Sequence, residues 1–355
     1  MNPQPAVSPQ KIPQSAQAVR ISGDFSIDAL TSDTVPLQSP GPGQVLVAIK
    51  AVSLNYRDVL MVSGKYSPNL QKPLTICSDA AGEVFAVGAG VQRFKPGDRV
   101  VASFFQNWLD GEYDREYGKS ALGGSIDGVL CTHKLFREEG LLPLPSHLSF
   151  EEGSTLPCAA LTAWHAMVPT ASVKSGDTVL LLGTGGVSIF GLQLAKLHGA
   201  RAIITSSSND KLARAKSFGA DATVNYRENP DWEKAVFKLT AGRGADIVLE
   251  VGGGETLSHS LRAVRPGGQV SLIGVLSGID SALNIGPILH NNLRVQGIYV
   301  GSAAMFRDMN RAIAINGLKP VIDRTFSFAQ SREALRYMQS GQHFGKIVIT
   351  VDATA

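Results

Sequence analysis

Between Ala18 and Phe150 the apolar residues come in short β-branched runs separated by turn residues. Gln44-Val-Leu-Val-Ala-Ile-Lys50 alternates with period two, Glu83-Val-Phe-Ala-Val87 follows, and Gly97-Asp-Arg-Val-Val101 opens a further run. Short strands split by Pro and Gly at this spacing predict a compact antiparallel barrel rather than βαβ units. Near Glu151 the pattern changes. Helical spacing with small residues covers Glu151 to Met167, and strand-like and helix-like runs then alternate. The strands are Asp177 to Leu182, Ala202 to Thr205, Ala222 to Asn225, Ala245 to Leu249 and Gly268 to Ile273; the intervening helices are Ile189 to His198, Asn209 to Phe218, Pro230 to Thr240 and Glu255 to Ala263. Strands alternating with helices in this way imply a parallel sheet covered on both faces, a doubly wound α/β domain. The last zone returns to short strands, Val295 to Val300 and Lys346 to Val351, with helical stretches Ser302 to Asn316 and Ala329 to Ser340 between them. No helix follows Lys346 to Val351, so the final strands are expected to rejoin the first domain.

Composition narrows the classes. A chain of 355 residues accommodates two domains, and 44% hydrophobic with 18% charged residues supplies sizeable cores and excludes a disordered chain. Lys+Arg 33 against Asp+Glu 30 leaves a net charge of +3, with no basic run, which argues against nucleic acid as a partner. Apolar stretches such as Val179 to Leu182 fall far short of the roughly 18 residues of a membrane span, so no membrane partner is expected. Cys77, Cys131 and Cys158 stand at no metal-like spacing and suit reduced thiols in a cytoplasmic setting. Met1 to Ser15 is rich in Pro, Gln and Ser without an apolar stretch, and reads as a loose tail rather than a signal peptide.

The strongest local chemistry lies at Gly183-Thr184-Gly185-Gly186-Val187-Ser188, which follows a strand and opens a helix. Gly183 permits a tight turn, Gly185 lets the backbone approach a pyrophosphate, and the helix amides supply positive field. Ser188 stands where the dinucleotide fingerprint has Gly or Ala. An NAD site usually places Asp or Glu about 20 residues further on, to hold the ribose 2′-hydroxyl. Here the second strand ends in Thr205-Ser206-Ser207-Ser208, with no carboxylate until Asp210. Hydroxyls of Ser206 and Ser207 with the Lys211 ammonium suit a 2′-phosphate, so the expected cofactor is NADP(H), held by Gly183, Thr184, Gly185, Gly186, Val187, Ser206, Ser207 and Lys211. The same serines also suit helix capping, and the two roles are compatible.

Several motifs in order carry a resemblance: Ser53-Leu-Asn-Tyr-Arg-Asp58, Gly82-Glu-Val-Phe-Ala-Val-Gly88, Phe94-Lys-Pro-Gly-Asp-Arg-Val100, the Gly183 turn, Arg265-Pro-Gly-Gly268 and Gly345-Lys-Ile-Val-Ile349. From Ala18 to Val351 the chain resembles the medium-chain dehydrogenase/reductase superfamily, whose members join a GroES-like β-barrel to a Rossmann domain. The resemblance implies a flexible tail over 1–16, a catalytic GroES-like domain from 17–153 and 291–355, and a Rossmann NADP(H)-binding domain over 154–290. Zinc-dependent members carry Cys where this chain has Asn55, and Gly-His-Glu where it has Cys77-Ser78-Asp79; only Cys158 matches a ligand. One matching ligand is short of the three protein groups a catalytic zinc takes. No metal is therefore expected, although an improvised set of Cys77, Asp79 and Cys158 stays open, as does Cys158 as a small buried residue. The relay histidine of alcohol dehydrogenases falls on Leu60, and His165 is expected to be packed rather than catalytic.

What remains is similar to the zinc-free branch of quinone oxidoreductases and enone or enoyl reductases. Asn55 resembles the asparagine that this branch uses in place of the zinc cysteine, and Gly64-Lys-Tyr66 matches a tyrosine that follows a glycine in enoyl reductases. The implied chemistry is hydride addition to the β-carbon of a polarised enone, with Asn55 polarising the carbonyl and Tyr66 or Tyr56 supplying a proton or hydrogen bond. A phenol with a pKa of about 10 keeps its proton at neutral pH. By the same resemblance Thr162, Gly274 and Val275 lie beside the nicotinamide, Tyr226 packs near the adenosine phosphate, Lys346 returns to the cofactor cleft, and a homodimer forms through the edge strand near Val295 to Val300. Asp58 is expected to fix loop geometry. Outside the resemblance, the aromatic insertion from Phe104 to Gly124 is expected to shape the substrate pocket through Phe104, Phe105 and Trp108. The expectation is a zinc-independent NADPH-dependent reductase of quinones or α,β-unsaturated carbonyls. An NADP-dependent alcohol or aldehyde dehydrogenase, and a non-enzymatic NADPH-binding redox sensor or scaffold, are the alternatives.

Overall fold

The computed structural model describes residues 11–66, 70–280 and 282–352; the first ten residues of the expected tail lie outside them. Strand-forming and helix-forming runs segregate into two sheet systems. Ala222–Asn225, Arg201–Ser206, Thr178–Leu181, Ala245–Glu250, Val264–Leu272 and Arg294–Gly297 form a six-stranded sheet in that spatial order. Every neighbouring pair is parallel. The chain order along the sheet is 3-2-1-4-5-6, the doubly wound arrangement, whose ligand crevice opens where the order reverses. Here that point lies between Thr178–Leu181 and Ala245–Glu250.

Both faces of this sheet are covered, which is why its strands read as nearly unbroken apolar runs. Val179, Leu181, Ile204, Ile247 and Leu249 pack with Ile189, Phe190 and Leu192 on one side. Leu180, Ile203, Val248 and Val270 pack with Trp232, Val236 and Leu261 on the other. Each such burial is worth about 1.5–3 kcal/mol. At the N-terminal end of the sheet Asp246 accepts from Thr178 N–H (2.8 Å), both terminal nitrogens of Arg243 (2.7 Å each) and Arg265 Nε (2.5 Å). Arg265-Pro-Gly-Gly268 thus acts on the end of the sheet away from the crevice, as a structural tie.

The second system is the barrel. Gln44–Leu54 is its axis, pairing antiparallel with Asp79–Val87, His133–Arg137 and Lys346–Thr350. Ile322–Ser327 extends this seven-stranded sheet beyond Lys346–Thr350, and Arg99–Ala102 with Leu141–Pro143 extends it beyond Asp79–Val87. A smaller sheet orders Thr31–Pro36, Ser15–Ile21 and Leu74–Thr75. Two boundaries differ from the expectation. Ser15 and Ala16 pair with Pro36 and Val35, so the barrel begins inside the segment read as tail; their alternation with buried Ala18 is too short to stand out from the Pro- and Gln-rich residues before it. Arg294–Gly297 is the sixth strand of the parallel sheet, paired with Gln269–Leu272, and not a strand of the barrel. The short helix Gly286–His290 completes that crossover, but it follows a stretch without helical periodicity, so the βαβ unit is hidden in the sequence.

The helix expected over Glu151 to Met167 is present as alternating α and π turns. Phe150–Ser154 and Leu161–His165 are α-helical, while Leu156–Ala160 and Ala166–Thr170 are π-helical. Such π segments concentrate at functional sites, and this one carries Cys158 and leads into Thr162. No helix among the described residues is long and apolar enough to cross a membrane.

A tight strand-to-strand contact in the barrel is at Gly82, opposite Ile49. A Cβ there would stand 2.3 Å from Ala48 O and 2.8 Å from Val47 Cγ1. Gly82→Ala is therefore expected to lower unfolding free energy by about 1–3 kcal/mol in chemical denaturation; an unchanged midpoint would show that the two strands yield freely.

Candidate active site

The crevice at the switch point is built from three pieces of chain. The first is the glycine turn. Gly183 has φ +71°, Gly185 is extended as the N-cap, and the helix Gly186–Leu197 starts there. Ser188, the departure from the fingerprint, is buried and donates its hydroxyl to Leu182 O at 2.6 Å. It ties the helix to the preceding strand by a hydrogen bond where the fingerprint uses close glycine packing. A Cβ at Gly183 would meet nothing within 4 Å, so that side of the turn is open. Open backbone at a helix N-terminus fits a pyrophosphate.

The second piece is the returning segment from Gly341 to Lys346. Gly345 N–H donates to Thr184 O at 2.9 Å, and Gly185 and Gly345 form a parallel bridge. His343 Nε2 lies 4.0 Å from where a Cβ of Gly185 would be, and its Nδ1 is buried without a partner. Burial, and then the charges of Lys211 and Lys346, push the imidazole down to about 4, so it is neutral at physiological pH. The sequence offered no signal for His343 beyond its nearness to Lys346.

The third piece lies at the ends of strands two and three. Ser208 caps the helix Asn209–Ser217, accepting from Lys211 N–H at 3.4 Å, and Ser206 Oγ accepts from Ser208 N–H at 3.3 Å. Ser207 is half-buried, and Tyr226 is exposed with its N–H on Ser206 O at 3.1 Å. Lys211 Nζ donates to Gly341 O at 2.6 Å, and burial lowers its pKa. A carboxylate does enter this corner, Glu228, which the sequence reading passed over. It accepts from the side-chain amides of Asn209 at 2.7 Å and Asn225 at 3.0 Å.

Across the crevice, Gly274 follows the fifth strand. A Cβ there would stand 2.2 Å from Val251 O, so only glycine lets the two loops meet. Val275 is exposed beside it. The loop is ordered by Glu250, which is buried and accepts from Gly252 N–H (2.7 Å), Gly253 N–H (3.0 Å), the Thr256 hydroxyl (2.6 Å) and the Ser260 hydroxyl. Thr162 is buried on the helix Leu161–His165.

Beneath the crevice is a buried polar cluster. Asn55 is the N-cap of the helix Tyr56–Val62, and its N–H donates to Asp58 Oδ2 at 2.8 Å. Lys346, only 2% exposed, donates to Asn55 Oδ1 at 2.7 Å and Leu54 O at 2.6 Å. Asn55 Nδ2 is buried and makes no hydrogen bond of normal geometry, although it stands near enough to the Asp79 carboxyl to favour its charged form. Asp79 accepts from the Ser78 hydroxyl at 2.6 Å and Cys158 N–H at 3.0 Å. Burial pushes the Asp58 carboxyl up to about 6 against the opposing charge of Arg57, and it raises Asp79 against the charge of Lys346. Burial also drives the Cys77 and Cys158 thiols well above their usual range, with Asp79 adding to the effect.

This donor set does not fit a catalytic zinc. Zinc sites take Cys, His, Asp or Glu donors, and Asn55, held on its oxygen by Lys346, supplies none. An ammonium already stands among the neighbouring oxygens. Among the described residues no three His, Cys, Asp or Glu side chains are placed to hold a metal ion.

Tyr56 and Tyr66 are both partly exposed, at 37% and 42%. Tyr66 Oη lies 3.2 Å from Tyr299 Oη, and Arg57 stands over the Tyr66 ring at 5.4 Å. Tyr299, which the sequence reading left in an edge strand, is carried on Val300. That residue is held at φ +54°, an outlying conformation for a β-branched side chain. His165 Nδ1 pairs with Val300 O at 2.8 Å, so His165 is packed and buttresses this bend. Burial raises the Tyr299 phenol well above its usual range. Arg57, Met61, Tyr66, Gln71 and Tyr299 line a cavity of about 350 Å³. Phe104, Phe105 and Trp108 do not line it. Each is 1% exposed, packed in the core shared with the Rossmann helices. Phe105 meets Tyr299 edge-on at 4.9 Å and Arg57 lies over Phe104 at 4.7 Å. The three aromatics back the wall instead of forming it, because side chains this large gain more by full burial than by facing a wet cavity.

A doubly wound sheet with a glycine turn at its switch point, clamped by a strand returning from a β-barrel, defines a two-domain nucleotide-binding architecture. Comparison with known proteins agrees. Residues 41–146 match the alcohol dehydrogenase GroES-like domain, and 186–315 match the zinc-binding dehydrogenase family. A zinc-type alcohol dehydrogenase-like protein of Schizosaccharomyces pombe is 44% identical over 321 residues, spanning 89% of this chain and 93% of that protein. A crotonyl-CoA reductase of Streptomyces collinus is 30% identical, over 89% of this chain and 80% of that protein. Among solved structures, an NAD-dependent alcohol dehydrogenase superposes with a TM-score of 0.86 at 35% identity, covering 95% of this chain and 100% of that one. The 2-octenoyl-CoA carboxylase reductase CinF of a Streptomyces species, solved with NADP and 2-octenoyl-CoA, superposes with a TM-score of 0.87 at 25% identity, covering 97% and 89%. The chain belongs to the medium-chain dehydrogenase/reductase superfamily.

Asp58 provides a check on the buried cluster. Its carboxyl titrates near pH 6 in the fold and near 3.8 in the unfolded chain. Between those values the folded state holds the extra proton, so stability falls as pH rises through the window. Asp58→Asn removes that loss while keeping an oxygen for Asn55 N–H. Its stability relative to wild type, read by denaturation across pH 4 to 7, is expected to rise by on the order of 3 kcal/mol and then level off. A difference that does not change with pH would contradict the buried placement.

Proposed function

We propose that the protein is a zinc-independent, NADPH-dependent reductase of α,β-unsaturated carbonyls or quinones. The observation that carries this reading is Asn55. Its amide is held through its oxygen by Lys346, the residue after the glycine that bridges to the cofactor turn, with Nδ2 buried and making no hydrogen bond of normal geometry, in a cluster whose donors do not suit a metal. A buried donor left without such a bond is rare in folded proteins and calls for an explanation; a substrate carbonyl oxygen would satisfy it.

The residues that would hold NADP(H) are the open turn Gly183 to Val187, the Ser206 and Ser207 hydroxyls, Lys211 and Tyr226, with Thr162, Gly274 and Val275 at the nicotinamide end. When bound, the cofactor supplies hydride to an electron-poor carbon. Asn55 Nδ2 donates to the substrate oxygen and stabilises the negative charge that develops there. The proton that completes the reduction comes from a phenol. Tyr66 faces the cavity and is hydrogen-bonded to Tyr299, whose raised pKa keeps it protonated. Tyr56, at the first turn after Asn55, is the other candidate. Arg57, Met61 and Gln71 shape the space for the substrate body. Stabilising an alkoxide near neutral pH normally calls for a Lewis acid, and the donor chemistry around Cys158 disfavours one, so alcohol oxidation is the weaker reading. Relatives whose names specify reduction of crotonyl-CoA and acryloyl-CoA support the choice of an activated double bond. The exposed edge strand Arg294–Gly297 is the surface through which a homodimer would form.

Two measurements test this reading. Asn55→Ala is expected to lower kcat for ethyl vinyl ketone about 10²-fold, the usual cost of losing one preorganised donor to a developing oxyanion; unchanged turnover would remove Asn55 from the chemistry. Ser207→Ala combined with Lys211→Ala is expected to weaken NADPH binding about tenfold, with little effect on NADH, in fluorescence titration. Equal losses for both would place the two residues away from a 2′-phosphate.

A further inference from the structure

Lys346 opens the returning strand directly after the glycine that bridges to the cofactor turn. A lysine there could extend toward bound phosphates or turn inward. Its ammonium turns inward, away from solvent, and reaches Asn55 Oδ1 and Leu54 O. The stem passes Gly186 so closely that a Cβ there would stand 2.8 Å from Lys346 Cδ. A lysine ammonium has three donors and no acceptor, so the Asn55 atom it touches must be the carbonyl oxygen. That contact settles which way the amide faces. With Asn55 N–H held by Asp58, its C=O by Asp58 N–H and Oδ1 by Lys346, Nδ2 is the polar group of Asn55 that makes no hydrogen bond of normal geometry, with the Asp79 carboxyl beside it.

We infer that Lys346 is a positioning residue, one that orients the Asn55 amide so that its N–H donors face the reacting oxygen, and that it is not a ligand of the cofactor's phosphates. This rests on the reading of Asn55 given above. It also accounts for the lysine's surroundings. Asp58 and Asp79 are both buried in the cluster; Lys346 is the main counter-charge of Asp79 and adds to that of Arg57 at Asp58. A cation there holds the amide by its oxygen without offering a coordination site to the substrate.

The test is a double-mutant cycle with NADPH and ethyl vinyl ketone as probes, and with NADPH affinity measured separately by fluorescence. Lys346→Met is expected to lower kcat about 10²-fold, the scale of a misplaced catalytic group, while Kd for NADPH changes less than twofold. Lys346→Met with Asn55→Ala is expected to be no slower than Asn55→Ala alone, because the lysine acts through the amide. Losses that multiply, or a tenfold rise in NADPH Kd with kcat retained at saturation, would overturn the inference and make Lys346 a cofactor ligand. Should Lys346→Met fail to fold for want of a counter-charge, Lys346→Met with Asp79→Asn removes one charge of each sign and is compared with Asp79→Asn alone. An Asn55→Ala enzyme with wild-type kcat would overturn the function reading itself. A loss in Asn55→Ala with none in Lys346→Met would overturn only the role of the lysine.

Discussion

One buried ammonium organises the centre of this molecule. Lys346 sits where the strand Lys346–Thr350 enters the barrel, against Leu54 at the end of the barrel's longest strand, and against Gly186 at the start of the first Rossmann helix. Two carboxyls, Asp58 and Asp79, are buried in its field. Taking three ionisable groups out of water is costly, and it is tolerated when the charges compensate one another and hydrogen bonds satisfy the rest. The lysine therefore fixes the relation between barrel and sheet and, in the same contact, the direction of the Asn55 amide. In a cluster whose donors do not suit zinc, the positive charge belongs to the chain itself.

The cofactor side depends on a different economy of backbone. Strand order reverses beside Thr178–Leu181, and that reversal alone opens a crevice at the strand ends. The glycine turn lines one wall and Gly274 the other. Glu250 holds the loop under Gly274 by accepting from two backbone amides and two hydroxyls, so an acidic side chain works there as a scaffold and not as a base. Ser188 does the same for the first helix with a single hydrogen bond to Leu182 O.

Much of this was legible in the sequence because local patterns and tertiary structure agree. The switch from period-two runs to alternating strands and helices located the two sheet systems, and the glycine turn stood where a strand meets a helix. What was hidden has identifiable causes. Arg294–Gly297 joins the parallel sheet after a connection with no periodicity, so its short apolar run was read with the barrel. Phe104, Phe105 and Trp108 stood out as aromatic, but aromaticity does not say which side of a cavity wall a ring occupies. Tyr299 and His343 carry no motif; they matter through contacts with Tyr66 and with the Gly183 to Gly186 turn, made over 233 positions in the first case. Lys346 was read as returning to the cofactor cleft; that its ammonium turns inward to Asn55 and Leu54 was hidden, because sequence gives a side chain's place on a strand and not its direction.

The most direct test of the account is NADPH oxidation by protein of known metal content, with ethyl vinyl ketone, benzoquinone and propanal compared under identical conditions. The account predicts turnover of the enone or the quinone by protein holding far less than one zinc per chain, and no loss of rate after chelation. Stoichiometric zinc, with turnover confined to the aldehyde and abolished by a chelator, would contradict it: Cys158 would then be a metal ligand, and the Asn55 amide would not be the group that meets the substrate oxygen.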